Sequence, residues 1–327
     1  MRRALLALTM LSVVGVTTPA PAQVISAPVE RDNWKFTWEV RESTGVAIRD
    51  VSYKGKLVLA KASVPVIRVE YDKRFSWYKP WTWGPREKTG RCGPFQDRIK
   101  WKHLRPVKDC NNQPVCVQEY TSGGMKWLEV GGYARIGQYH IYQAWYLSED
   151  GRIQPVIQSR GLSCRTTHRH HPYWRLDITF HPDEKNRKEQ VFVYDKGGDD
   201  NGWGAGWRKY RNEENDEKNP RQDRAWFVRD GQTGDGVWVI PGSNDGNLDG
   251  FAKIDVGVRQ NNILEDEPWK FGACGQLGYG DDNDSVQEKD IVFWYAAHMP
   301  HEVGPTHDPL GWITVGPVLR VHRQPPS

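Results

Sequence analysis

From Trp34 onward, hydrophobic residues recur with a period of two or in short continuous runs. WKFTWEVRES, GVAIRDVSYKG, KLVLAKASVPVIRVEYD, YHIYQAWYLS and RIQPVIQSRG have this character, as do WRLDITFH, QVFVYD, GVWVIPG, AKIDVGVRQ and IVFWYAAH. Runs of this length rich in β-branched and aromatic residues predict strands. The segments between them, KGGDDNGWGAG, DGQTGDG, GSNDGNLDG and GYGDDND, have the composition of turns. No stretch shows a long, capped helical period. A helical turn fits only YRNEENDEKNPRQ, and a solvated loop fits it equally well. Regular strands on a chain of 327 residues predict an all-β protein, a large antiparallel β-sandwich.

The first residues depart from this pattern. MRRALLALTMLSVVGVTTPAPAQ has two arginines, an apolar run from Ala4 to Val16 and a small-residue stretch ending Ala20-Pro21-Ala22. It reads as a secretory signal over residues 1–22, with a single domain over 23–327 and a secreted or periplasmic location. The apolar run falls short of the roughly 20 residues a membrane span needs. Net charge is +4. Removal of Arg2 and Arg3 lowers it to about +2, and the basic residues are interleaved with acids, so neither nucleic acid nor membrane is an expected partner.

Cys92, Cys110, Cys116, Cys164 and Cys274 would enter an oxidising compartment, where disulfides form and one thiol is left over. Cys116 with Cys92 or Cys110 is the first pairing expected, and Cys164 with Cys274 the second. No zinc-type CxxC spacing occurs. The acidic loops offer carboxylates and carbonyls to calcium but lack the spacing of a calcium loop, so they read first as solvated turns. The abundant tryptophans fit a sandwich core, with a sugar-stacking surface on a metal-free sandwich as the alternative.

The segment THRHHPYWRLDITF sets His168 and His170 two apart ahead of a strand-like run, so in an extended chain both imidazoles project from one face. Neutral imidazoles suit Cu(II), Zn(II) or Ni(II), and the pair alone does not choose among them. His298, His301 and His307 offer a third ligand near the C-terminus.

These residues resemble the copper amine oxidases at three separated places. HRHHPYWRLD matches that family's His-x-His pair followed by Arg-Leu-Asp, with His168 and His170 as ligands and His171 outside the pattern. In IVFWYAAHMPH the residue seven after Trp294 is His301, the register of the family's third copper histidine, which leaves His298 out. IGQYHIYQAWYLSEDGRIQPVIQSRGL aligns with the family stretch whose tyrosine becomes topaquinone, which places Tyr139 at the precursor. The likeness runs from about Trp34 to Val321. It implies a catalytic domain that uses copper and a Tyr139-derived topaquinone to oxidise a primary amine with oxygen, giving aldehyde, ammonia and hydrogen peroxide. A homodimer is implied in the same way.

Two flanking positions differ. The family's asparagine is Gln138 here, which keeps an amide to orient the quinone but not its position, and the family's acid is His140, a group that can itself bind metal. The stretch expected to hold the catalytic-base aspartate, RFSWYKPWTWGPREKTGRC, contains none. Asp72 just before it and Asp97 just after it are the base candidates, with Glu87 a further carboxylate. These departures favour the alternative of a copper-binding protein on the same scaffold without quinone turnover, serving copper sequestration or a different copper and tyrosine oxidation.

Overall fold

The computed structural model describes residues 25–41, 43–71, 95–161, 167–200, 202–249, 252, 254–261, 283–302 and 311–322. Residues 1–22, Asp72, Glu87, Cys92, Cys164, Cys274 and His307 lie outside them. Among the described residues there are two antiparallel sheets, of ten and eleven strands, and no α-helix. The all-β sandwich expected from the periodicity is what forms. None of the described helices is long and apolar enough to cross a membrane.

The first sheet runs Ile25–Arg31, Trp34–Arg41, Gly45–Tyr53, Lys56–Tyr71, His168–Asp177, Ile291–Ala296, Val256–Gln260 and Glu214–Asp216. Met299–His301 extends the pairing of the fifth strand, called here the histidine strand, and Phe95–Asp97 pairs with Lys56–Tyr71. In the second sheet the tyrosine strand, Tyr139–Ser148, lies between Met125–Ile136 and Arg152–Arg160, towards one end of the strand order.

Alternation explains the core. Tyr139, Ile141, Gln143, Trp145 and Leu147 of the tyrosine strand are all buried, facing Ile48, Trp174, Leu176, Phe293 and Tyr295 from the first sheet in one cluster. The opposite face of the first sheet is covered as well, with Val66, Tyr173, Val292, Trp294 and Ile254 in a second cluster. Burial on both faces is why IVFWYA is apolar without a break.

Polar side chains tie the sheets together. Gln143 accepts from Val46 N–H at 2.9 Å and donates to Val46 C=O at 3.0 Å, while Trp145 Nε1 donates to the same carbonyl at 2.8 Å. This satisfies buried backbone groups of Val46 from the opposite sheet, and it fixes the tyrosine strand against the first sheet.

Cys110 and Cys116 are joined by a disulfide, with Cα atoms 5.5 Å apart. The segment that admitted a helical turn forms a short strand, Glu214–Asp216, and a 3-10 turn, Pro220–Gln222. Its charges go into pairs, Arg208 with Glu214 at 2.7 Å and Arg224 with Asp216 at 2.7 Å. The acidic loops spend carboxylates internally: Asp200 accepts from Gly202 N–H and Gly204 N–H, and Asp245 accepts from Gly316 N–H and Tyr295 OH.

Candidate copper and tyrosine site

The histidine strand pairs with Met299–His301 so that His168 lies opposite His301 and His170 opposite Met299. Cross-strand partners share a face, as do residues two apart, so these four side chains form a block on the inner face of the first sheet. Tyr139 meets them from the second sheet. Its hydroxyl is 3.0 Å from His168 Nε2, and its ring lies 4.7 Å from that of His170 and 5.6 Å from that of His301. His168 Nε2 and His170 Nε2 are 3.0 Å apart, and the rings of His168 and His301 stack at 5.2 Å. All four residues are buried.

Two backbone features place Tyr139. Gly137 and Gln138 form a two-residue hairpin loop in which Gly137, at φ 58°, takes the left-handed position of a turn whose twist suits the flanking strands. Gly161 lies against the ring from the next strand's end. A Cβ there would come within 2.6 Å of the Gln138 carbonyl oxygen and 3.0 Å of Tyr139 Cδ1, so only glycine allows this approach.

Burial holds His170 well below the usual imidazole range, with the neighbouring His301, His168 and His171 acting in the same direction. His301 is pushed down to about 4, by burial first and His168 second, against a hydrogen bond to the Gly161 backbone that raises it. Both rings are therefore neutral at physiological pH, the form in which imidazole donates a lone pair to a metal.

Among the described residues, no group of three or more His, Cys, Asp or Glu side chains is arranged to hold a metal ion. His301 Nε2 faces the sulfur of Met299 at 3.2 Å. The chemistry of the donors nevertheless suits copper: buried imidazoles, two of their nitrogens at the spacing of neighbouring ligands, and a phenol alongside.

Of the remaining candidates, Gln138 is exposed at the loop tip. His140 contacts the Tyr133 hydroxyl through Nδ1. Asp97 lies opposite Ile67, which lies opposite Pro172, so it shares the inner face with Pro172 at roughly two strand spacings, about 10 Å, and His170 is two residues further along that strand. Burial raises its pKa.

His171 and His298, left over by the motif, are opposite one another on the outer face of the sheet. Their Nδ1 atoms are 2.8 Å apart. His298 Nε2 contacts Asp255 at 2.8 Å, Lys218 pairs with the same carboxylate at 2.9 Å, and Asp249 is 3.3 Å from His171 Nε2. The regular ladder is interrupted here, because His298 N–H donates to the Asp245 carbonyl at 2.6 Å. The imidazole pair bridges the gap between the stretch ending at Ala296 and the stretch beginning at Met299. Counting from His168 puts His171 on the outer face, but nothing in the sequence shows that His298 meets it. Gly161 and Gln143 also escaped sequence reasoning, since each acts on a segment distant along the chain.

No protein-family profile matches the chain, and no curated protein matches it by sequence. Solved structures do. The fold is similar to that of a copper-containing benzylamine oxidase from Hansenula polymorpha, with a TM-score of 0.65 and 15% identity over 90% of this chain and 59% of that one. Pichia pastoris lysyl oxidase matches with a TM-score of 0.61 and 12% identity, covering 89% of this chain and 51% of that one. An Aspergillus nidulans amine oxidase gives 0.59 and 13%, covering 98% and 56%. The chain thus has the copper amine oxidase fold, and it spans between half and three fifths of the length of these proteins.

Proposed function

We propose that this chain is a copper-dependent primary-amine oxidase whose quinone arises from Tyr139, converting amine, oxygen and water into aldehyde, ammonia and hydrogen peroxide. The observation that supports it most is the Tyr139 hydroxyl 3.0 Å from His168 Nε2 within a buried group of three imidazoles, on a fold shared with amine oxidases. His168, His170 and His301 would hold the copper. Copper and the quinone, when present, supply the redox and electron-sink chemistry.

The chain's own groups do the rest. The closed sandwich keeps water from the Tyr139 ring, and Gly161 and the Gly137 turn set the ring's position. The depressed basicity of His170 and His301 keeps both available as metal donors rather than proton carriers. Asp97 is the described carboxylate best suited to accept the substrate's α-proton, because it lies on the same face and burial raises its affinity for a proton.

The second reading, a copper protein without quinone turnover, is favoured by the exposure of Gln138 at the hairpin tip. The test is to load purified metal-free protein with Cu(II) in air and add phenylhydrazine. A visible quinone band that shifts on hydrazone formation, and is missing in Tyr139→Phe, supports the oxidase. Histidine-dependent copper without that band selects the second reading.

A further inference from the structure

We propose that Met299 is a fourth ligand of the copper centre, through its thioether sulfur, so that the donor set is three imidazoles and one methionine. This rests on the copper reading above. The register puts Met299 directly across from His170 and two residues before His301, so its side chain enters the same inner-face block as the three histidines. Met299 is buried, and its Sδ lies 3.2 Å from His301 Nε2.

The spacings suit ligands of one ion. Nitrogens at roughly 2.0–2.1 Å and a sulfur at roughly 2.3 Å from a metal, subtending 90–110°, stand roughly 2.9–3.4 Å apart for two nitrogens and 3.1–3.6 Å for nitrogen and sulfur. The pair His168 Nε2 and His170 Nε2 at 3.0 Å falls in the first range, and His301 Nε2 and Met299 Sδ at 3.2 Å in the second. The cross-strand register, His168 opposite His301 and His170 opposite Met299, sets the two pairs side by side on one face, so that an ion between them would take ligands from both. A core methionine could fill the same space with its terminal methyl. Here the sulfur, the one donor atom of the side chain, is the atom next to the imidazole nitrogen.

A thioether is a soft ligand and favours Cu(I) over Cu(II). The predicted consequence is a centre that retains copper strongly when reduced. In X-ray absorption of the full-length Cu(I)-loaded protein, a sulfur shell at roughly 2.3 Å should accompany the nitrogen shell and disappear in Met299→Leu. That substitution conserves volume and keeps the core filled. Competition with a Cu(I) chelator should show Cu(I) affinity falling on the order of tenfold or more, with a smaller change for Cu(II). Selenomethionine labelling gives a check independent of any substitution, since a copper–selenium shell must then replace the sulfur one.

A shell of nitrogen and oxygen only, from copper that still depends on the three histidines, overturns the Met299 assignment and leaves the copper reading intact. Unchanged Cu(I) affinity in Met299→Leu overturns it too. Copper retained after His168, His170 and His301 are each replaced defeats the copper reading, and the Met299 assignment with it.

Discussion

Replacing Gly161 with alanine tests how the tyrosine is held. The backbone there has φ 142°, a value L-residues rarely adopt, and the added methyl would lie 2.6 Å from the Gln138 carbonyl oxygen, 2.9 Å from Tyr139 Cα and 3.0 Å from Tyr139 Cδ1. Two of these neighbours are backbone atoms of the hairpin, which cannot rotate aside. The unfavourable dihedral costs about 1–3 kcal/mol, and the overpacking a further 1–3 kcal/mol. A loss of about 2–6 kcal/mol corresponds to a fall in Tm of roughly 3–10 °C for a domain of this size. Because the clash pushes on the Tyr139 ring, the contact of its hydroxyl with His168 should be lost as well. Thermal unfolding of the metal-free protein followed by circular dichroism reads the first effect, and Cu(II) titration the second. A variant within 2 °C of the native protein in Tm, with unaltered copper affinity, would refute the cradle.

Three other outcomes are expected. Burial pushes His301 down to about 4 in the folded protein, below the usual 6.5, so the unfolded chain binds its proton first. The stability it confers is complete above pH 6.5 and falls as the pH approaches 4, by up to about 3 kcal/mol, and urea denaturation of the metal-free protein should show this slope while His301→Gln lacks it. Glu189, raised to about 8 by burial, accepts a hydrogen bond from Thr179 at 2.6 Å. Its raised pKa means that stability is lost as the pH climbs through 8, so Glu189→Gln, which keeps an acceptor, should be more stable than the native protein at pH 9 by about 1–3 kcal/mol and lose that advantage at pH 5; an equal difference at both pH values contradicts this. His298→Ala removes a partner of both His171 and the buried Asp255, at a cost of about 2–4 kcal/mol that His298→Asn should partly recover; a measured loss under about 0.5 kcal/mol would show that the pair bridges nothing.

Much of the fold was legible because period-two alternation and turn chemistry are local properties. WKFTWEVRES and YHIYQAWYLS each bury alternate side chains against the opposing sheet and could be read as strands without it. The hairpin Cys116–Ser122 with Met125–Ile136 was not singled out, because charged and polar residues interrupt its pattern where it faces solvent. The acidic segment 210–222 misleads for a related reason: its strand pairs with Val256–Gln260 and takes ion pairs with Arg208 and Arg224, without an apolar stripe.

At the site, spacing alone put His168 and His170 on one face, but their meeting with Tyr139 and His301 depends on how two sheets stack and how two distant strands register. The same limit hid Gly161, whose role is to leave room, and His298, whose partner is 127 residues away. Met299 carries no signal in the sequence, and only the register sets it across from His170.

The measurement that bears most directly on this account is copper stoichiometry by elemental analysis after dialysis, for the native protein and for His168→Ala, His170→Ala and His301→Ala, with circular dichroism to verify folding. The account predicts one tightly held copper per native chain, with three-nitrogen hyperfine structure in its electron paramagnetic resonance spectrum, and loss of that copper in each folded variant. Stoichiometric copper retained in all three variants would contradict it.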